Sequence, residues 1–127
     1  MDVIVDSSVW IAALAGETFA EVESAMTAGR IVLSPLVIAE LLSGDNTLED
    51  REFIGQLLQD FPLHETPLGH WIRVGNLRRL LASKGVNVTI PDAHVAQCAI
   101  ERNATLYSGD CIFVSIAKHT PLRLAAV

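Results

Sequence analysis

The chain reads as an α/β domain built on a short parallel sheet with helices on both faces. Two observations predict this. Short apolar runs rich in β-branched residues alternate with helical stretches from end to end, and no linker-like, repetitive or low-complexity segment interrupts the series. A length of 127 residues, half of them apolar, suits one compact domain spanning residues 1–127.

Asp2 to Val5 is an apolar strand, and Ser7 and Ser8 follow it at once as capping residues for a helix through Trp10, Ile11 and Leu14. Gly16 breaks that helix. Glu17 to Ala28 places Phe19, Val22 and Met26 at helical spacing and closes on Gly29. Ile31 to Leu33 is a second short strand, and Ser34 before Pro35 opens a helix that Ser43 and Gly44 end. Thr47 and Asp50 have the spacing of a capping box, which starts a helix bearing Phe53, Ile54, Leu57, Leu58 and Phe61, stopped by Pro62. Leu63 to Thr66 is a short edge strand. Pro67 to Lys84 is the longest helix, with Trp71, Val74, Leu77, Leu80 and Leu81, and Gly85 terminates it. Thr89 and Pro91 start a helix to about Asn103, Thr105 to Ser108 is a strand, Phe113 to Lys118 a helix, and Leu122 to Leu124 a final strand.

The first residues carry acids on both sides of a very short apolar run and no basic segment, unlike a signal peptide, and no stretch is long enough to span a membrane. A cytoplasmic protein with no membrane partner is the expectation. Cys98 and Cys111 lack metal-type spacing and read as reduced thiols, one on a helix and one beside Asp110. The net charge of −6 is unusual for a protein that handles nucleic acid through basic residues alone. Two bound divalent cations, however, would offset four of those charges and reverse the local field.

Four carboxylates stand out. In open parallel sheets ligands collect at the carboxyl ends of the strands, where loops and helix N-termini converge. Asp6 closes the first strand and Asp110 follows the strand Thr105 to Ser108. Either is also a natural helix cap. Glu40 sits among Val37, Ile38, Leu41 and Leu42, where a carboxylate is expected to be partly desolvated. Asp92 shares a helical face with Ala96, Ala99 and Ile100, which should point inward, although a first-turn acid also complements the helix dipole. Converging carboxylates repel unless a cation compensates them, and an oxygen-only ligand set favours Mg²⁺ or Mn²⁺ and phosphoryl chemistry.

At this point the sequence resembles the PIN-domain family, and within it the VapC-type toxins of toxin–antitoxin pairs. The resemblance runs through VIVDSSVWIAAL, LSPLVIAELLSG, IPDAHVAQCAI and LYSGDCIFVSIA, which carry the four acids in the family's order. It implies a three-layer α/β/α fold around a short central parallel sheet. Asp6, Glu40, Asp92 and Asp110 become catalytic and metal-site residues for Mg²⁺, with Mn²⁺ as substitute, and Ser8 and Ser108 become nearby hydroxyls that orient a ligand or water. The implied activity is endoribonuclease cleavage by a metal-activated water. The implied partners are an RNA substrate, a second copy of the chain in a homodimer, and a small cognate antitoxin through which operator DNA is reached. One departure concerns the fourth motif: many relatives carry a further acid before Phe, and Ile112 stands there.

Two other readings remain open on the residues. The Ile112 departure suits a catalytically weak PIN-like protein-binding module. Another Mg²⁺-dependent α/β phosphohydrolase would also gather acids at strand ends, but a haloacid-type phosphatase wants Asp-x-Asp where Asp6 is followed by Ser7 and Ser8. His64, His70, His94 and His119 show no metal-type helical spacing among themselves and read as surface or packing residues. Trp10, Phe19, Trp71 and the Phe53 to Phe61 helix are core or interface candidates. Arg73, Arg78, Arg79 and Lys84 read as a solvated helix face or an RNA guide.

Overall fold

A computed structural model describes residues 1–127, with Ala126 described by its backbone alone. The elements run β1 (Val3–Val5), α1 (Ser7–Leu14), α2 (Ala20–Thr27), α3 (Pro35–Leu42), α4 (Leu48–Asp60), α5 (Leu68–Ser83), α6 (Ile90–Arg102), β2 (Thr105–Ser108), α7 (Ile112–Ala117) and β3 (Arg123–Ala126). The three strands are parallel in the order β1-β2-β3.

The sheet extends further through single bridges. Val3 pairs with Ile31, and Leu33 pairs with Leu63. The predicted strands Ile31 to Leu33 and Leu63 to Thr66 are thus reduced to isolated parallel bridges, because Pro35 turns the first into α3 and Pro67 precedes α5. Counting these bridges, chain order runs outward from β1 in one direction first and then, from β2 to β3, in the other. The switch point of strand order lies between β1 and β2, where an α/β sheet opens a crevice at its carboxyl edge.

Val3, Ile4 and Val5 are all buried although alternate residues of a strand face opposite sides, so helices cover both faces of the sheet. α6 packs on β1 and β2 and also against α5. His70, Val74, Leu77 and Leu81 form the buried stripe of α5 at three- and four-residue spacing, while Trp71 and Leu80 are partly open to solvent. Trp10 is fully buried, with its ring 6.1 Å from Phe53 in an edge-on arrangement, so it belongs to the core.

Caps explain most element ends. Thr47 and Asp50 form the reciprocal box, and Ser34 accepts a hydrogen bond from Val37 N–H ahead of Pro35. Asn103 ends α6 in the left-handed conformation at φ +54°, tolerated by its short polar side chain. Helix α1 is capped by Asp6, one of the two readings its position after β1 allowed, and not by Ser7 or Ser8. No helix among the described residues is long and apolar enough to cross a membrane.

Candidate active site

Asp6 lies where β1 becomes α1, at the switch point. Its backbone N–H donates to the Tyr107 carbonyl at 2.9 Å, which continues the β1–β2 ladder by one residue and brings Asp6 beside Ser108. The side chain is 6% exposed and fully oriented. Oδ1 accepts from Ser7 N–H at 2.9 Å, and Oδ2 accepts from the Ser8 hydroxyl at 3.1 Å and the Ser108 hydroxyl at 2.9 Å. Both serines singled out in the sequence therefore act on Asp6 itself. A carboxylate with three donors at fixed positions has little freedom to swing, which preorganises it for a ligand on its open side.

Asp110 enters from the end of β2. Its N–H donates to Ser108 Oγ at 3.0 Å, and its Oδ1 accepts from Ile112 N–H at 3.0 Å, so it shapes the turn into α7 while its side chain remains exposed. Ser108 thus joins the two acids. Ile112, at the position of the family's further acid, is the first residue of α7.

Asp92 stands in the first turn of α6, half-buried, with its N–H donating to Thr89 Oγ1 at 3.2 Å. Ala96 and Ala99 on the same face are buried, as their spacing predicted. Partial burial and then the charges of Asp110 and Asp6 raise the Asp92 pKa, against the opposing Thr89 hydrogen bond. Glu40 differs from expectation. α3 buries Val37, Ile38 and Leu41, and Glu40 occupies its exposed flank, because apolar neighbours in sequence are not neighbours on one helical face. Its carboxyl still feels the cluster: partial burial and the charges of Asp6 and Asp92 raise its pKa, while the Ser7 side chain lowers it.

The structure therefore brings all four acids into electrostatic contact around the carboxyl ends of β1 and β2. The donor set fits a hard divalent cation, being carboxylate oxygen throughout, and the raised pKa values of Glu40 and Asp92 mark negative charge that a cation would relieve. A shallow cleft bordered by Ser8, Ala12, Phe19 and Asp110 and another bordered by Ile11, Leu14, Glu40 and Asp50 give access to this edge.

A second polar cluster was not foreseen. His64, His70 and His94 are buried, and His70 and His94 are completely so. Glu101 accepts from His64 Nε2 at 2.8 Å, His70 Nδ1 at 3.0 Å, Arg73 Nε at 2.6 Å and Gln97 Nε2 at 3.2 Å. A carboxylate only accepts, so those two imidazole nitrogens carry protons. With the rings neutral, His70 Nε2 accepts from His94 Nδ1 at 2.7 Å and His94 Nε2 accepts from the Ser34 hydroxyl at 2.7 Å, while Ser34 Oγ accepts from Val37 N–H. The relay ends at the cap of α3, the helix that carries Glu40.

Burial pushes Glu101 up, but its hydrogen bonds to Arg73, His64, His70 and Gln97 outweigh this and hold it at about 2. Burial, then the His70 and His64 charges, lower His94 to about 4. Trp71 stacks on His94 with ring centroids 4.8 Å apart. Arg73, read in the sequence as a solvated or RNA-guiding residue, is engaged by Glu101, and Arg78 Nε donates to the Val88 carbonyl at 2.8 Å. Cys98 is buried within this cluster, whereas Cys111 is exposed.

The profile of the PIN domain family matches residues 3–119, and the chain belongs to that family. Among solved structures it is similar to a chain of the VapBC2 complex of Rickettsia felis bound to a promoter DNA fragment. The TM-score is 0.81 at 19% identity, covering 100% of this chain and 99% of that one. It is also similar to DNA-bound VapBC of Salmonella typhimurium, with TM-score 0.78 and 17% identity over 99% and 98% of the two chains. VapBC-5 of Mycobacterium tuberculosis, a member of the VapBC family of toxin–antitoxin systems, gives TM-score 0.69 and 20% identity over the whole of both chains. At these identities the likeness is one of fold. A sequence comparison with curated proteins returns no match.

Proposed function

We propose that the chain is a divalent-metal-dependent endoribonuclease and the toxin of a toxin–antitoxin pair, with Mg²⁺ as its ion and Mn²⁺ as a working substitute. The observation that carries this reading is the meeting of Asp6, Glu40, Asp92 and Asp110 at the switch point of a PIN fold, with Glu40 and Asp92 raised by partial burial and then by the acids beside them.

Asp6 and Asp92 hold the ion most directly, one oriented by three donors and the other fixed in the first turn of α6. Glu40 and Asp110 complete the negative field from α3 and from the turn after β2, and Asp110, exposed and without a further acid at Ile112, is the weaker contributor. When bound, the ion activates a water and neutralises charge on the phosphate during in-line displacement. Ser8 and Ser108 act through Asp6 by keeping its oxygens aimed, so they are positioning residues.

The partners follow the same reading: single-stranded or structured RNA as substrate, a small antitoxin protein covering the acidic crevice, and a second copy of this chain. Operator DNA is reached only through the antitoxin, and the pair acts in the cytoplasm. All of residues 1–127 serve as one nuclease domain.

Purified protein incubated with RNA should cleave it only with Mg²⁺ or Mn²⁺, stop on chelation, and leave 5′-phosphate ends. Metal-independent products with 2′,3′-cyclic phosphate ends would overturn the mechanism. Cation binding without any cleavage would favour the protein-binding module instead.

A further inference from the structure

We propose that His64, His70 and Cys98, with His94 beside them, form a second metal site, distinct from the acidic crevice and built for a structural Zn²⁺. Three observations carry it. Ligand atoms of His64, His70 and Cys98 lie within 4.8 Å of one another, and all three residues are buried. His64 Nδ1 is a buried nitrogen without any hydrogen-bond partner, while the other ring nitrogen is held by Glu101. A buried polar atom left unpaired is costly, and a ligand relieves that cost.

The third observation is the tethering of the rings. His64 through Nε2 and His70 through Nδ1 both bond Glu101, and His94 through Nε2 bonds Ser34 Oγ. Each imidazole thus has one nitrogen fixed by an oxygen, which is how zinc-ligating histidines are normally oriented. Cys98 Sγ lies 4.0 Å from His70 Nε2 and 3.8 Å from His94 Nδ1. Sulfur and nitrogen ligands on tetrahedral zinc stand about 3.6 Å apart, so small side-chain shifts close the site. His94 becomes the fourth ligand through Nδ1 when its proton moves to Nε2 and its bond to His70 opens; the thiol proton leaves to solvent. Nitrogen and sulfur donors select Zn²⁺ over Mg²⁺, the reverse of the carboxylate cluster. Such an ion ties α5 and α6 to the segment before α5.

Co²⁺ provides the probe. Protein produced in cobalt-supplemented minimal medium should carry one Co²⁺ per chain in this site, with a near-ultraviolet thiolate-to-cobalt absorption that added Zn²⁺ bleaches and Mg²⁺ does not. Cys98→Ser should lose the absorption, whereas Cys111→Ser and the Asp6→Asn/Asp92→Asn double variant should keep it. Glu101→Gln should weaken Zn²⁺ binding about ten- to a hundredfold through its histidines. The proposal is overturned by a wild type without the absorption, or by a band that survives in Cys98→Ser or vanishes in Cys111→Ser. Should Cys98→Ser fail to fold, His64→Asn decides: unchanged Zn²⁺ affinity in that variant also overturns the proposal.

Discussion

The acidic cluster at the strand ends and the cluster around Glu101 both set carboxylates into an apolar fold, yet their pKa values move in opposite directions. Glu40 and Asp92 are raised, by partial burial and then by neighbouring acids that add to it. Glu101 is held at about 2, because Arg73, His64, His70 and Gln97 all donate to it. In the first cluster the repulsion felt by Glu40 and Asp92 is not offset by the chain; in the second, donors of the chain outweigh the burial of Glu101. Desolvation acts in the same sense at both, so the identity of the surrounding groups decides the sign. A cluster of the first kind does not contribute to stability until a cation arrives, which is the signature of a site kept for function at the expense of stability.

The largest effect that sharpens this contrast is on activity. Asp6→Asn and Asp92→Asn should each lower RNA cleavage by about a hundredfold or more, the scale of losing a preorganised charged group. The fold should persist, since Asn caps helices as well as Asp and the Ser8 and Ser108 hydroxyls can turn to accept from the new amide. Cleavage assays paired with circular dichroism check both halves. An Asp92→Asn protein that cleaves like wild type would remove Asp92 from the site.

Substituting the compensated carboxylate should act on stability instead. Glu101→Gln replaces charge-assisted hydrogen bonds from four partners and is expected to cost about 2 kcal/mol, read as a lower urea midpoint. Asp110→Asn sits between the two. Its side chain is exposed and Ile112 stands where a further acid would support it, so the variant should keep measurable cleavage that rises with added Mn²⁺. Complete inactivity at every Mn²⁺ concentration would place Asp110 on a level with Asp6.

How much of this was legible in the sequence depends on the range of the interactions. Caps and helix limits at Thr47, Ser34 and Thr89 involve residues three apart, and local pattern exposes them. Asp6 and Asp110 could be placed because each follows a strand whose parallel pairing brings strand ends together. Glu40 was read as buried from its neighbours in sequence, although the relevant neighbours lie three and four residues away. The histidine relay joins Ser34, His64, His70, His94 and Glu101, which only tertiary packing brings together. The four-residue spacing of His94 and Cys98 on α6 is the one local signal of this cluster, and it joins a histidine to a cysteine rather than to a second histidine.

Smaller effects separate the clusters by pH. For Glu40 and Asp92 the native state binds protons that the unfolded chain has released, so metal-free protein gains stability as the pH falls through their raised values. Glu40→Gln should remove part of that gain and change stability at neutral pH by no more than about 0.5 kcal/mol, as befits an exposed position. Glu101 acts with the opposite sign: its contribution is whole above the ordinary carboxylate value of 4.5 and is lost as the pH falls from there toward about 2. Urea titrations at stepped pH on wild type and both variants resolve the two windows. Equal slopes in all three proteins would break the contrast.

The most direct measurement is the thermal unfolding of metal-depleted protein with and without Mn²⁺, which prefers oxygen donors to the nitrogen and sulfur of the histidine cluster. Tm should rise for wild type, because an ion that binds only the folded acidic crevice stabilises it, and should not rise for the Asp6→Asn/Asp92→Asn double variant. A wild type indifferent to Mn²⁺, or a double variant stabilised to the same extent, would contradict a metal site in that crevice.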